Sequence, residues 1–335
     1  MQRDVPMKRR TILLGALTVF CLGAPLPSEP QEPKPGRIWR IGWLSHASSA
    51  TGTSEFEALR RGLAELGYVE GRNIAIEARW AQGDSARLPR LARALVELKV
   101  DVICTAGTPA SIAAKQATTT IPIVFSRTAF PERTGLVSSL ARPGGNLTGV
   151  AFIGPEYGKR LELLREVSPK ISRIALLYND QNTASVLAVQ ETQEWAKALP
   201  VTIESVGVHD RASLEAAFVS LRRSRHDALM TTADAVLASL RTPIVDFARE
   251  RRLISMYGDR DYVAAGGLMF YGTSFTDMWR HGAIYVDRIL KGAKPGDLPV
   301  EQPTKFELVI NMKAARSLGL TIPAAVLLRA EALIE

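Results

Sequence analysis

What most limits the folds open to this 335-residue chain is a rhythm: short apolar runs alternate with segments whose leucines recur at helical spacing, twice over. Residues 38–45 read as a strand. Residues 54–66 read as a helix with Phe56, Leu59, Leu63 and Leu66 on one face, stopped at Gly67. A strand at 73–80 precedes a helix at 85–98, with Leu88, Leu91, Leu95 and Leu98 on its apolar side. Strands at 101–105 and 122–126 flank a helix at 109–118, which opens on Pro109, a residue preorganised for the first helical position. Alternation of this kind implies a parallel sheet with helices on both faces.

Residues 146–152 lead into a second series. Helices are expected at 157–167, 183–199, 213–223, 236–251 and 275–290, and strands at 173–178, 201–208, 228–232, 253–257 and 268–271. An extended stretch at 305–311 and a short helix at 312–318, closed by Gly319, complete the chain's pattern. The halves repeat an architecture rather than a sequence, so the expected fold is α/β: two doubly wound parallel-sheet lobes joined by a hinge. Ligands of open α/β sheets bind beyond the carboxyl ends of the strands. Two such lobes facing one cleft make the residues just after the strands the candidates for binding.

The N-terminus reads as an address. Met7-Lys-Arg-Arg10 precedes thirteen almost wholly apolar or small residues, from Thr11 to Gly23, which is the secretory signal pattern and too short for a bilayer span. Phe20 before Cys21 argues against a lipoprotein signal, where a small residue is expected. The expected division is therefore a signal peptide at 1–24, a proline-rich linker at 25–37, an N-terminal lobe at 38–149 with part of 273–302, a C-terminal lobe at 150–272, and a hinge crossing with a C-terminal segment at 303–335. A periplasmic location follows as an expectation.

Composition narrows the function classes. With 46% hydrophobic and 23% charged residues, the chain is an ordinary globular one with material for two cores. The net charge of +8 includes four basic residues and one acidic residue within 1–24. No dense Lys/Arg block interleaved with aromatics remains, so nucleic acid is not an expected partner. Cys104 sits in an apolar run without an intrachain partner outside the signal, and reads as a buried, inert thiol. The acids offer no catalytic constellation. Asp259 and Asp261 share a face with no third ligand beside them, adjacent Ser45 and His46 lack triad spacing, and neither a Gly-x-Ser-x-Gly elbow nor a phosphate loop is present. No catalytic residue, metal or cofactor is expected.

Eight segments in order then resemble the ABC transporter substrate-binding family that includes aromatic amino-acid binders, a branch of the type I periplasmic binding proteins. They include Phe56-Glu-Ala-Leu-Arg-Arg-Gly-Leu-Ala-Glu-Leu-Gly-Tyr68, Glu70-Gly-Arg-Asn-Ile74, Trp80-Ala-Gln-Gly-Asp84 and Asp101-Val-Ile-Cys-Thr-Ala-Gly-Thr-Pro109. The others are Ile121-Pro-Ile-Val-Phe125, Arg142-Pro-Gly-Gly-Asn-Leu-Thr-Gly149, Ile289-Leu-Lys-Gly-Ala-Lys-Pro295 and Pro303-Thr-Lys-Phe-Glu-Leu-Val-Ile-Asn311. The resemblance implies a bilobed protein without catalytic machinery that closes on a small ligand, an aromatic amino acid or related small carboxylate, and delivers it to an ABC permease in the inner membrane. A ligand sensor for a membrane receptor and an exported α/β enzyme remain alternatives.

By position, the resemblance implies ligand contacts at Ser45, His46, Thr108, Pro109, Ser126, Asn179, Asp234, Gly258 and Asp259, to which Arg127, where the chain departs from the family, and Tyr271, at an expected chain crossing, are added as candidates. Asp234 reads equally well as a helix N-cap before Val236. Many relatives carry Asp-Pro after the fourth strand, whereas this chain runs Arg127-Thr-Ala-Phe-Pro131. Phe130 in place of the acid, with Arg127 added, points toward an anionic ligand such as an aromatic carboxylate. Hinge crossings are expected near 148–150, 271–273 and 303–305.

Overall fold

The computed structural model describes residue 2 and residues 37–152 and 156–335. Apart from residue 2, the expected signal at 1–24, with Cys21, lies outside the described residues, as does all of the expected linker but residue 37.

The first lobe alternates β1 (Trp39–Ser45), α1 (Thr53–Glu65), β2 (Ile74–Trp80), α2 (Leu88–Glu97), β3 (Val102–Ala106), α3 (Thr108–Ala117), β4 (Ile123–Ala129) and β5 (Leu147–Phe152). Its five strands are parallel, in the order β2-β1-β3-β4-β5. Burial on both faces explains the near-continuous apolar strands. In β3, Val102, Cys104 and Ala106 enter one core while Ile103 enters the core on the opposite face, the period of two that a strand imposes. Burial pushes the Cys104 thiol pKa well up, which keeps it protonated.

The second lobe begins with α4 (Glu156–Val167), β6 (Arg173–Tyr178), α5 (Thr183–Ala196), β7 (Thr202–Gly207), α6 (Arg211–Arg223) and β8 (Ala228–Thr231). It continues with α7 (Ala235–Ser239), α8 (Arg241–Glu250), β9 (Ile254–Tyr257), α9 (Asp261–Ala264) and β10 (Met269–Gly272). The chain then returns to the first lobe as α10 (Phe275–Leu290), whose Trp279, Ala283 and Val286 pack with Leu59 and Leu63 of α1. Contact there is close: a Cβ on Gly62 would lie 2.8 Å from Ala283 Cβ. The chain ends in the second lobe with β11 (Glu307–Asn311), α11 (Met312–Leu318), α12 (Ala324–Leu327) and β12 (Ala332–Ile334). The second sheet runs β12-β11-β10-β9-β8-β6-β7, parallel except where β10 meets β11.

Three details depart from the sequence reading. The helix expected over 236–251 is two helices broken at Leu240. Pro243 has no N–H to give and its ring collides with the carbonyl four residues back, which stops α7 from continuing. The short α9, α12 and β12 carry too few residues to show a period. The first crossing, expected at 148–150, lies inside β5, and the proposed lobe boundary after residue 149 falls in the same strand. Thr148 Oγ1 donates to the Leu298 carbonyl at 2.7 Å, and Gly149 and Ala151 exchange backbone hydrogen bonds with Glu301. Between the sheets the chain passes after Phe152, after Gly272 and before Glu307.

Candidate ligand-binding site

A cavity lies between the lobes at the carboxyl ends of β1, β3 and β4 on one side and β6 and β8 on the other. The cavity is narrow and partly open to solvent.

The first lobe supplies the end of β1, where Ser45 Oγ accepts from Ala47 N–H at 3.1 Å and His46 is 1% exposed. The His46 Nε2 lies 3.1 Å from Ser85 Oγ, while its Nδ1 has no partner among the described residues. Burial lowers the His46 pKa, against an opposing pull from Asp234, so the ring is neutral near pH 7. Gly107, at φ +93°, turns the chain from β3 into α3, a backbone state that glycine reaches without steric cost. No side chain caps α3 there. Gly107, Thr108 and Pro109 at this end line the cavity, so the positive dipole end of α3 borders it.

Arg127 projects from an irregularity in the β4–β5 pairing, between Phe125 and Thr128, with φ +53°. Its Nη1 donates to Glu55 Oε1 at 2.6 Å and its Nη2 to Asp259 Oδ2 at 3.0 Å. Its guanidinium carbon sits 4.5 Å from the centre of the Phe275 ring. Burial opposes the arginine's charge, but Glu55 and Asp259 more than offset this and hold its pKa above the usual value. Burial likewise raises the Glu55 pKa, with Arg127 pulling it back. The cation that sequence alone offered to an anionic ligand is already shared between two carboxylates.

The second lobe contributes Asp234, which accepts from Val236 N–H at 2.8 Å and Leu237 N–H at 3.3 Å as the N-cap of α7. Asn179 Nδ2 donates to it at 3.1 Å and Asn182 Nδ2 at 2.8 Å. Asn182 in turn caps α5, accepting from Ala184 N–H at 3.1 Å. Three helix N-termini, that of α3 from the first lobe and those of α5 and α7 from the second, thus border the same space. Gly258 supports this turn: a Cβ there would lie 2.5 Å from Ala233 N.

Ser45, His46, Thr108, Pro109, Arg127 and Asp234 all line the cavity. Ser126 is fully buried behind it, its carbonyl accepting from Gly107 N–H at 3.1 Å. Asn179 stands behind Asp234, and Asp259 faces a neighbouring space. Tyr271 lies elsewhere. Its ring stacks 5.8 Å from Phe306 and its carbonyl accepts from Arg160 Nε at 2.7 Å. Tyr271 lies within β10 rather than after it, and it is the residues following Gly272 that come to the space between the lobes. Glu55, Phe152, Asn182 and Ser185 line the cavity without having been singled out from sequence. Asn182 carried a usable signal, as a capping residue before a helix; Glu55 reads as an ordinary first-turn acid.

The lobes are closed. Besides the Arg127–Asp259 pair, Phe130 of the first lobe stacks on Tyr157 of the second with ring centres 6.0 Å apart, and Arg133 reaches Glu191 and Gln190 on α5. Among the described residues, no group of three or more acidic, histidine or cysteine side chains is placed to hold a metal, and no helix is long and apolar enough to cross a membrane.

Two doubly wound lobes shut over a cavity lined from both sides give the chain the type I periplasmic binding fold. The family model for ABC transporter substrate binding proteins matches residues 43–334, and the chain belongs to that family. It is 28% identical over 261 residues to a tyrosine-binding protein of Clostridioides difficile strain R20291, covering 78% of this chain and 75% of the relative. A Streptococcus pneumoniae ABC domain solved in complex with L-Trp is 27% identical, with a TM-score of 0.84 over 89% of this chain and 100% of that one. A conserved domain protein of Vibrio cholerae is 28% identical at the same TM-score of 0.84, over 88% of this chain and 99% of that one.

Proposed function

We propose that this protein captures an aromatic amino acid in the periplasm, after export, by closing its lobes, and hands it to an ABC permease in the inner membrane. The observation that carries this reading is the pairing, in one cavity, of the uncapped N-terminus of α3 with the acidic Asp234 from the opposite lobe. The helix end suits a carboxylate; Asp234 suits an ammonium group. Phe152, Tyr157 and several alanines leave an apolar surface for a flat side chain. The tyrosine-binding and L-Trp-bound relatives support the same chemistry. A related small carboxylate without an amino group fits less well, because Arg127 is spent on Glu55 and Asp259 and Asp234 would keep no cationic partner in the ligand.

Isothermal titration with L-tryptophan, L-tyrosine and L-phenylalanine, alongside tryptamine and indole-3-propionate, tests the reading. At least one amino acid is expected to bind. Loss of either charged group should weaken binding by about 100-fold, in line with the roughly 1.5–3 kcal/mol of a charge-assisted hydrogen bond. Equal binding of tryptamine or indole-3-propionate, or binding of an unrelated class such as a sugar, would contradict it.

A further inference from the structure

The space between the lobes is divided. Beside the ligand cavity lies a second chamber, lined by Thr51, Ser54, Arg241, Asp261 and Thr276 together with Asp259. Glu55 borders both chambers, Arg127 borders the ligand cavity, and Asp259 borders the second chamber. Arg127 donates to both carboxylates at once, at 2.6 Å and 3.0 Å. The ion triad is therefore the partition itself, with Phe275 held against the guanidinium at 4.5 Å. Its parts come from both lobes: Glu55 and Arg127 from the first, Asp259 from the second. The partition is complete only when the lobes are closed.

We infer that Arg127 is a specificity-determining residue that limits the length of the ligand, keeping the binding site to a single amino acid and shutting off a polar chamber fitted to a longer one. This rests on the proposed function, since it concerns the same cavity. The second chamber carries hydroxyls and charges of both signs, the groups that pair with a peptide unit and its terminal ammonium or carboxylate. An aromatic dipeptide is the ligand class that would span both chambers once the wall is gone. In the intact protein, such a ligand must displace a buried guanidinium from two carboxylates, or hold the lobes apart.

The test compares L-tryptophan with glycyl-L-tryptophan and L-tryptophyl-glycine by titration calorimetry, on the wild type, Arg127→Ala, and the triple variant Glu55→Gln/Arg127→Ala/Asp259→Asn. The triple variant leaves no unpaired buried charge and serves if the single variant does not fold. The wild type is expected to reject both dipeptides by about 100-fold or more relative to tryptophan. The variants should bind at least one dipeptide about tenfold or more tighter than the wild type does. A folded variant whose dipeptide affinity equals that of the wild type would overturn the inference. Failure of the wild type to bind any amino acid would instead count against the proposed function. In that case, a crystal structure of the triple variant still reads the partition: one continuous chamber is expected, and two separate chambers would refute the wall.

Discussion

Replacing Asp234 with alanine is expected to abolish measurable ligand binding and to cost about 2–4 kcal/mol of stability in urea unfolding. The carboxylate caps α7 through two backbone N–H groups and gathers the amides of Asn179 and Asn182, all buried. Truncation leaves those donors without their acceptor. It also loosens Asn182, which caps α5 at the cavity's edge. Asparagine at the same place separates the two roles of the acid. It can still cap α7, so Asp234→Asn should recover much of the lost stability, whereas the charge that would meet a ligand ammonium is gone and affinity should stay low. Wild-type affinity in Asp234→Asn would show that the residue acts through the turn alone.

Removing Arg127 is expected to be as damaging to the fold. Its side chain is 8% exposed, and it neutralises Glu55 and Asp259, which are 7% and 12% exposed. Breaking a buried ion pair by deleting one partner costs about 3–5 kcal/mol, because the remaining charge is left desolvated. Arg127→Ala should show that loss in urea unfolding. The triple variant that also neutralises Glu55 and Asp259 should recover most of it. A loss below about 1 kcal/mol in Arg127→Ala would mean that water reaches the triad and screens it.

The alternation of apolar runs and helical periods disclosed both sheets and most helices, because burial on both faces of a parallel sheet writes itself into continuous apolar strands such as β3. Elements held by their neighbours left no such mark. Leu240 splits a helix through the action of Pro243, and β12 exists by pairing with β11. The cavity was partly legible for the same topological reason, since His46, Thr108 and Asp234 follow strands that end at the cleft. Glu55 was not, because its partner Arg127 is 72 positions away and is aimed by a local irregularity of β4. The sequence suggested a spare cation at Arg127; the fold places two acids against it.

Closure around the ligand is the centre of this account, and distances across the cleft mouth test it most directly. Gln82 and Arg211 line opposite walls of that mouth and are exposed, while Cys104 is buried away from labelling reagents. Spin labels on cysteines at these two sites, with Cys21 replaced by serine, report the gap by pulsed electron resonance. Addition of the aromatic amino acid that binds is expected to convert a longer, broad distribution into a short, narrow one. An unchanged distribution at saturating ligand would contradict capture by lobe closure.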